Sequence, residues 1–360
     1  MTVHVSLLKN HNGSQIACLA LSAPERINAQ NLAMVRQMSA ALAQWRDDES
    51  IMAIVLIGAG ERGFCAGGDL KTLYQAMSEP AHIEQGDAFF REEYRLCQSI
   101  REYPKPVLAW GYGIVMGGGW GLFAAASHRV VTESSRLAMP ETGIGLFPDV
   151  AASWWLPKLN GAGRFLGLTG AAINARDALE LGAADFLLPD ATRHETLIAL
   201  EALPWTSSAQ QNAFLLSEFL SARSQQLQHL EPQLMRYEAH YQALNQFELP
   251  QALDYLAQWV DESATDSAYL LHVSQRIRKA SPTSLYLSWA LQAKCAALTM
   301  AKTVDIEIAM AACALRYGDF AAGIYSTLID RQSSPRWQFA DWHLLDGAHI
   351  QSHFWPLRHE

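Results

Sequence analysis

Two stretches without a charged residue constrain this chain most: "IMAIVLIG" (Ile51–Gly58) and "VLAWGYG" (Val107–Gly113). Each is too short for an ordinary helix and too uniformly apolar for a strand with one wet face, so each predicts a strand buried on both sides. Each also leads into a glycine-rich loop, "AGERGFCAGGD" (Ala59–Asp69) and "VMGGGWG" (Val115–Gly121), and then into a helical pattern. Strands buried on both faces need helices to cover them, so the alternation predicts an α/β fold with crossover helices.

The flanking segments fit that plan. "VHVSLL" and "QIACLAL" surround "KNHNGS", where Asn12-Gly13 signals a hairpin turn. Leu32, Val35, Met38, Leu42 and Trp45 recur on one helical face, and a second long helix is predicted around "GDAFFREEYRLCQSIREY". "RVVTES" and the start of "RLAMPE" read as further strand pieces. Beyond about residue 190 strand runs and glycine loops become scarce and helical periodicity takes over. The expected organisation is therefore a core over residues 1–190 and a mainly helical region over 191–360.

Composition narrows the function classes. Half of the 360 residues are hydrophobic and 18% are charged, enough apolar material for a sizeable core. The net charge of -9 argues against nucleic acid as a partner. The five cysteines are odd in number and nowhere in CxxC spacing, so they read as free thiols in a reducing compartment, with no zinc cluster and no metal expected. The N-terminus lacks the basic and apolar regions of a signal peptide, and no run approaches the roughly 18 apolar residues of a membrane span. A cytoplasmic protein without a membrane partner is the expectation.

Two glycine turns between strand and helix can aim backbone N–H groups at one negatively charged oxygen, although tight strand–helix packing explains either alone equally well. A dinucleotide fingerprint fails, since "GYGIVM" carries Met116 where the third glycine belongs. No GxSxG nucleophile elbow occurs. His128 reads as structural, and His349, His353 and His359 as a solvated tail. "MPETGIGLFPDV" (Met139–Val150) places two carboxylates, Glu141 and Asp149, in an apolar, bent stretch. A buried acid is costly unless paired or put to use, so both are candidate site residues, with turn or helix capping as the alternative. Glu93 is a third candidate. Phe89, Phe90, Leu96 and Cys97 surround it at helical spacing, which centres it on an apolar face unless it lies at the edge.

"FCAGGDL", "GIVMGGGWGL" and "MPETGIGLFPDV", in this order and spacing, resemble the enoyl-CoA hydratase/isomerase (crotonase) superfamily and, within it, the 3-hydroxyisobutyryl-CoA hydrolase branch. The resemblance continues in "SPTSL" (Ser281–Leu285) and "GDFAAGIYSTLIDRQSSPRW" (Gly318–Trp337). It implies a spiral of ββα units followed by helices, an acyl-CoA substrate and no cofactor beyond the coenzyme A of that substrate; superfamily members often form homo-oligomers, and a long helical C-terminal part that covers the site within one chain is the alternative. Carried over residue by residue, it implies that the N–H groups of Gly68 and Gly118 form an oxyanion hole. Glu141 becomes the catalytic base or nucleophile, Asp149 the anchor of a substrate 3-hydroxyl, and Glu93 a residue lining the substrate site. Arg26 falls near the CoA phosphates and Ala66 at the adenine.

The branches of the superfamily differ in their acids. Hydratases carry a glutamate two residues after the glycine triplet, where this chain has Gly121. Hydration lacks half its apparatus here, whereas thioester hydrolysis needs one carboxylate. The expected activity is hydrolysis of a 3-hydroxyacyl-CoA. The rival readings are a hydratase or isomerase of the same fold and a silent acyl-CoA-binding protein. The chain departs from the hydrolase pattern at Ala151-Ala152-Ser153, and in "AGIYS", where Ala322 and Tyr325 stand in for a glutamate and an arginine.

Overall fold

The computed structural model describes residues 1–10, 13–225 and 230–354. Its strands are β1 (Thr2–Lys9), β2 (Gln15–Ser22), β3 (Ile51–Gly58), β4 (Gly63–Cys65), β5 (Val107–Gly111), β6 (Ile114–Met116), β7 (His128–Val131), β8 (Arg136–Ala138) and β9 (Phe186–Leu187). They form a six-stranded sheet, β1-β2-β3-β5-β7-β9, and a three-stranded sheet, β4-β6-β8. β1 and β2 pair antiparallel along their full length, as a hairpin requires. Asn12 in its turn lies outside the described residues. The pairs from β2 to β9 in the large sheet are parallel.

The topology gives the ββα repeat a physical meaning. In each repeat the first strand, β3, β5 or β7, joins the large sheet and the second, β4, β6 or β8, joins the small one. A helix follows each pair: α2 (Leu70–Ser78), α4 (Gly118–Ala125) and α5 (Ala152–Trp155). β3 and β5 are buried nearly throughout, as their uninterrupted apolar sequences require. The remaining helices of the first half are α1 (Leu32–Trp45) and α3 (Ile83–Arg101). Asn31 caps α1 by accepting from the Met34 N–H. Its buried face is Met34, Val35, Met38, Leu42 and Trp45, with Leu32 only half-buried, one position off the expected stripe.

After β9 the described elements are all helical. Backbone packing divides the chain into two units that interleave along the sequence. The first comprises Met1–Gly68, Arg95–Leu137 and Ile173–Pro232, and holds the sheets. The second comprises Asp69–Tyr94, Ala138–Ala172 and Gln233–Glu360. Neither unit is confined to one side of residue 190. Among the described residues no helix is long and apolar enough to cross a membrane.

Candidate active site

In the first unit, parallel pairing of β4 with β6 sets their glycine loops side by side. Gly67 has φ +98°, and a Cβ there would stand 3.1 Å from the Met116 carbonyl oxygen and 3.4 Å from the Gly118 nitrogen. Only glycine allows that combination of angle and approach. The Gly67 carbonyl accepts from the Gln30 N–H at 2.7 Å, within a parallel bridge between Gln30 and Gly68. The N–H of Gly68, one step along, faces the opposite side of that extended strand. Gly118 opens α4, so its N–H has no acceptor within the helix. The Ala66 N–H donates to the Ile27 carbonyl at 2.9 Å, and Arg26 sits exposed at the end of the short turn Pro24–Arg26. Gly68, Gly118, Ala66 and Arg26 thus share this unit. Gly121, buried in α4, offers no side chain for acid–base chemistry.

The acids gather in the second unit. Glu141, Asp149 and Glu93 are 5%, 4% and 2% exposed, so none of them is a surface charge. Glu141 begins a tight turn, Glu141–Ile144, directly after Pro140. Among the described residues its buried Oε2 has no hydrogen-bond partner. Asp149 Oδ2 accepts from the Tyr94 hydroxyl at 2.8 Å. Glu93 and Tyr94 are neighbours on α3, whose buried residues include Phe89, Phe90, Leu96 and Cys97, as the helical spacing implied.

Burial pushes all three carboxyls upward. Asp149 rises to about 6, held back by the Tyr94 hydrogen bond and its own backbone N–H. Glu141 rises well above the carboxylate range, first through burial and then through the charge of Asp149. Its own N–H and Arg276 oppose this, while Glu93 adds to it. Glu93 rises through burial and then Asp149. The order of deprotonation follows: Asp149 ionises first, and its charge keeps the two glutamates protonated beyond it.

Three further residues complete the group, and the sequence reading had missed them. Tyr94 belongs to the apolar face of α3, and nothing in the sequence reveals that its hydroxyl meets Asp149. Glu307, fully buried on the helix Met300–Tyr317, accepts from the N–H groups of Ala151 (2.6 Å) and Ser153 (3.1 Å). Its signal was legible. Thr303, Val304, Met310 and Ala311 surround it at helical spacing, the pattern that singled out Glu93. Arg276 donates its Nε–H to the Thr169 carbonyl at 3.0 Å. It follows no readable pattern, because Arg278 and Lys279 beside it are exposed.

Capping does not explain the two acids. The helix expected near Val150 starts at Ala152, its N-cap is Ala151, and that residue makes no side-chain cap bond. The N–H groups go to Glu307, and the Asp149 carboxyl is directed to Tyr94. His128 is structural as expected. It opens β7, contacts Ser127, Ser217 and the Ala213 carbonyl, and is shifted down by burial. The tail residues His349 and His353 fall in the helix Gly347–His353, while His359 lies outside the described residues. Tyr325, which stands where the hydrolase pattern carries an arginine, makes a ring contact with Tyr74 at 6.2 Å. Among the described residues no group of three His, Cys, Asp or Glu is disposed to hold a metal ion.

A family model described as enoyl-CoA hydratase/isomerase matches residues 16–354. The chain belongs to that family. This enoyl-CoA hydratase/isomerase family member is 32% identical over 348 residues to the 3-hydroxyisobutyryl-CoA hydrolase, mitochondrial, of Homo sapiens, covering 94% of this chain and 86% of that protein. It is 34% identical to the protein of the same name from Bos taurus, covering 90% and 82%. Among solved structures, the family member matches a carnitinyl-CoA dehydratase from Mycobacterium thermoresistibile with a TM-score of 0.83 and 29% identity, over 98% and 96% of the two chains. It matches an enoyl-CoA hydratase from Rhodobacter sphaeroides with a TM-score of 0.79 and 30% identity, over 97% and 96%.

Proposed function

We propose that this protein hydrolyses a 3-hydroxyacyl-CoA thioester, with 3-hydroxyisobutyryl-CoA, an intermediate of valine breakdown, as its substrate. The observation that carries this reading is Glu141: a buried carboxyl with one oxygen unpartnered, beside a second buried acid already engaged by Tyr94. The names of the curated relatives support the acyl group.

In this reading the N–H groups of Gly68 and Gly118 take the thioester oxygen, and each contributes roughly 3 kcal/mol as negative charge develops on it. Arg26 meets the CoA phosphates, Ala66 the adenine, and Glu93 lines the acyl site. Asp149 accepts the substrate 3-hydroxyl and Glu141 does the chemistry when ionised. As a base it takes a proton from water, the hydroxide adds to the carbonyl, the C–S bond breaks, and the proton ends on the CoA thiolate. As a nucleophile its oxygen adds to the carbonyl and expels the thiolate, and water then cleaves the mixed anhydride. A single turnover in ¹⁸O-water reports the second route, since attack of water at the Glu141 carbonyl of the anhydride leaves label in Glu141 and the base route leaves none.

Hydration of an enoyl-CoA is the second reading, favoured by the likeness to a carnitinyl-CoA dehydratase and an enoyl-CoA hydratase of known structure. Gly121 counts against it, because no carboxylate can come from that position. Thiol release from 3-hydroxyisobutyryl-CoA, run beside butyryl-CoA and crotonyl-CoA, tests both readings. Rapid release from the 3-hydroxy ester supports the hydrolase. No release, with loss of crotonyl-CoA absorbance, replaces it with the hydratase.

A further inference from the structure

The turn that carries Asp149 is strained. Val150 has φ +52° and Ala151 φ +64°, two consecutive residues with side chains in the left-handed region. A β-branched residue there is an outlier that the surroundings must enforce. Part of the support is local. The Ala152 N–H returns to the Asp149 carbonyl at 2.8 Å, and those of Trp154 and Trp155 return to Ala151 at 2.9 and 3.2 Å. The N–H groups of Ala151 and Ser153 are buried and take no such local acceptor. Both are taken by the Glu307 carboxylate, at 2.6 and 3.1 Å. Glu307 is fully buried on a helix of 18 residues, a stiff support for such a clamp.

We infer that Glu307 is a positioning residue for Asp149. By accepting the N–H groups of Ala151 and Ser153 it holds the left-handed Val150–Ala151 turn that aims the Asp149 carboxyl at Tyr94. It thereby sets the preference for 3-hydroxyacyl over unhydroxylated thioesters. The substrate part of this inference rests on the hydrolase reading above, and the geometric part does not. Burial, and after it the charge of Asp149, push Glu307 up to about 8, against the lowering effect of the Ser153 hydroxyl and of the Ser153 and Ala151 N–H groups. The site therefore keeps an acid in place at an electrostatic cost, as a residue retained for position would.

The test is Glu307→Gln alone and with Ala151→Gly. The amide turns an N–H₂ towards one of two N–H donors, so one clamp bond is lost. Glycine adopts the left-handed region freely and should restore the turn without the clamp. The single variant is expected to lose about 30-fold in kcat/KM for the 3-hydroxy ester and under about threefold for butyryl-CoA, with the double variant regaining most of the preference. Equal losses on both esters without rescue overturn the inference, as does failure of both variants to fold. Should the wild type turn over neither ester, the hydrolase reading falls and the geometric claim is read by ¹³C-carboxyl NMR of Asp149, assigned through Asp149→Asn. An upward move of its titration in Glu307→Gln marks a weakened Tyr94 bond and supports the inference. No move, or a downward move, overturns it.

Discussion

The Tyr94 hydroxyl donates a 2.8 Å hydrogen bond to Asp149 Oδ2, and both groups are buried. The bond favours the ionised acid and opposes the burial that raises Asp149 to about 6. Tyr94→Phe removes that support, so the Asp149 titration moves up. The shift should be about one pH unit, the size expected for one hydrogen bond to a charged group, read by ¹³C-carboxyl NMR of Asp149 assigned through Asp149→Asn. A titration that stays near 6 in Tyr94→Phe would mean that the bond does not support the ionised acid.

Glu141→Gln should keep the fold and lose most turnover, by about 10³ in kcat with KM changed little. Burial and Asp149 already hold this carboxyl protonated in the free protein, so a neutral amide of the same shape suits the site. The melting temperature should be unchanged or higher. Wild-type kcat in this variant would remove Glu141 from the chemistry.

Asp149→Asn separates anchoring from catalysis. If the carboxylate accepts the 3-hydroxyl, the loss should be about tenfold or more greater for 3-hydroxyisobutyryl-CoA than for butyryl-CoA, since a charged acceptor is exchanged for a neutral one. A common loss on both esters would assign Asp149 to the reaction itself.

These acids also show what the sequence could reveal. Glu93 stood out because four apolar neighbours at helical spacing put it on a buried face, and it is 2% exposed. The strands Ile51–Gly58 and Val107–Gly111 were legible because uninterrupted apolar runs have few places to go in an α/β fold. Tyr94 and Arg276 were not legible, because their partners lie 55 and 107 residues away and local periodicity carries no such pairing. Glu307 carried the same local signal as Glu93 but lay in the region read only as helical. The start of α5 was misplaced because a left-handed turn at Val150–Ala151 has no sequence marker when no glycine fills it. The interleaving of the two units depends on which segments pack together, a long-range property that a single boundary near residue 190 does not capture.

The buried carboxyls set the pH dependence of stability. Glu93 and Glu141 rise well above the ordinary range and Glu307 to about 8. Between about pH 4.5, where an unfolded glutamate releases its proton, and pH 8, the folded protein binds more protons than the unfolded chain. The stabilising contribution of each group is full below the lower value and is lost as pH rises. For Glu307 the loss is about 1 kcal/mol of stability per pH unit across the window. The urea midpoint of the ligand-free protein should therefore fall steadily from pH 5.5 to 8, and a flat or rising midpoint would contradict the protonation order at the site.

The turn that begins with Glu141 is fixed from behind, which gives the last prediction. Gly323 lies on the helix Phe320–Ile324, and a Cβ there would come 2.1 Å from the Ile144 carbonyl oxygen at the end of the turn. Neither backbone can yield cheaply, because the Gly323 N–H is bonded to the Asp319 carbonyl, and Asp319 accepts from the Ser281 hydroxyl and the Gln338 N–H. Gly323→Ala should destabilise the protein by about 1–3 kcal/mol, the usual cost of overpacking, and lower kcat more than it raises KM as Glu141 is displaced. Gly143, inside the same turn, has nothing within 4 Å of a Cβ and no left-handed φ. Gly143→Ala should leave stability within about 0.5 kcal/mol of wild type. Thermal melts and kcat on the two variants check the contrast, and equal behaviour would mean that the helix does not brace the turn.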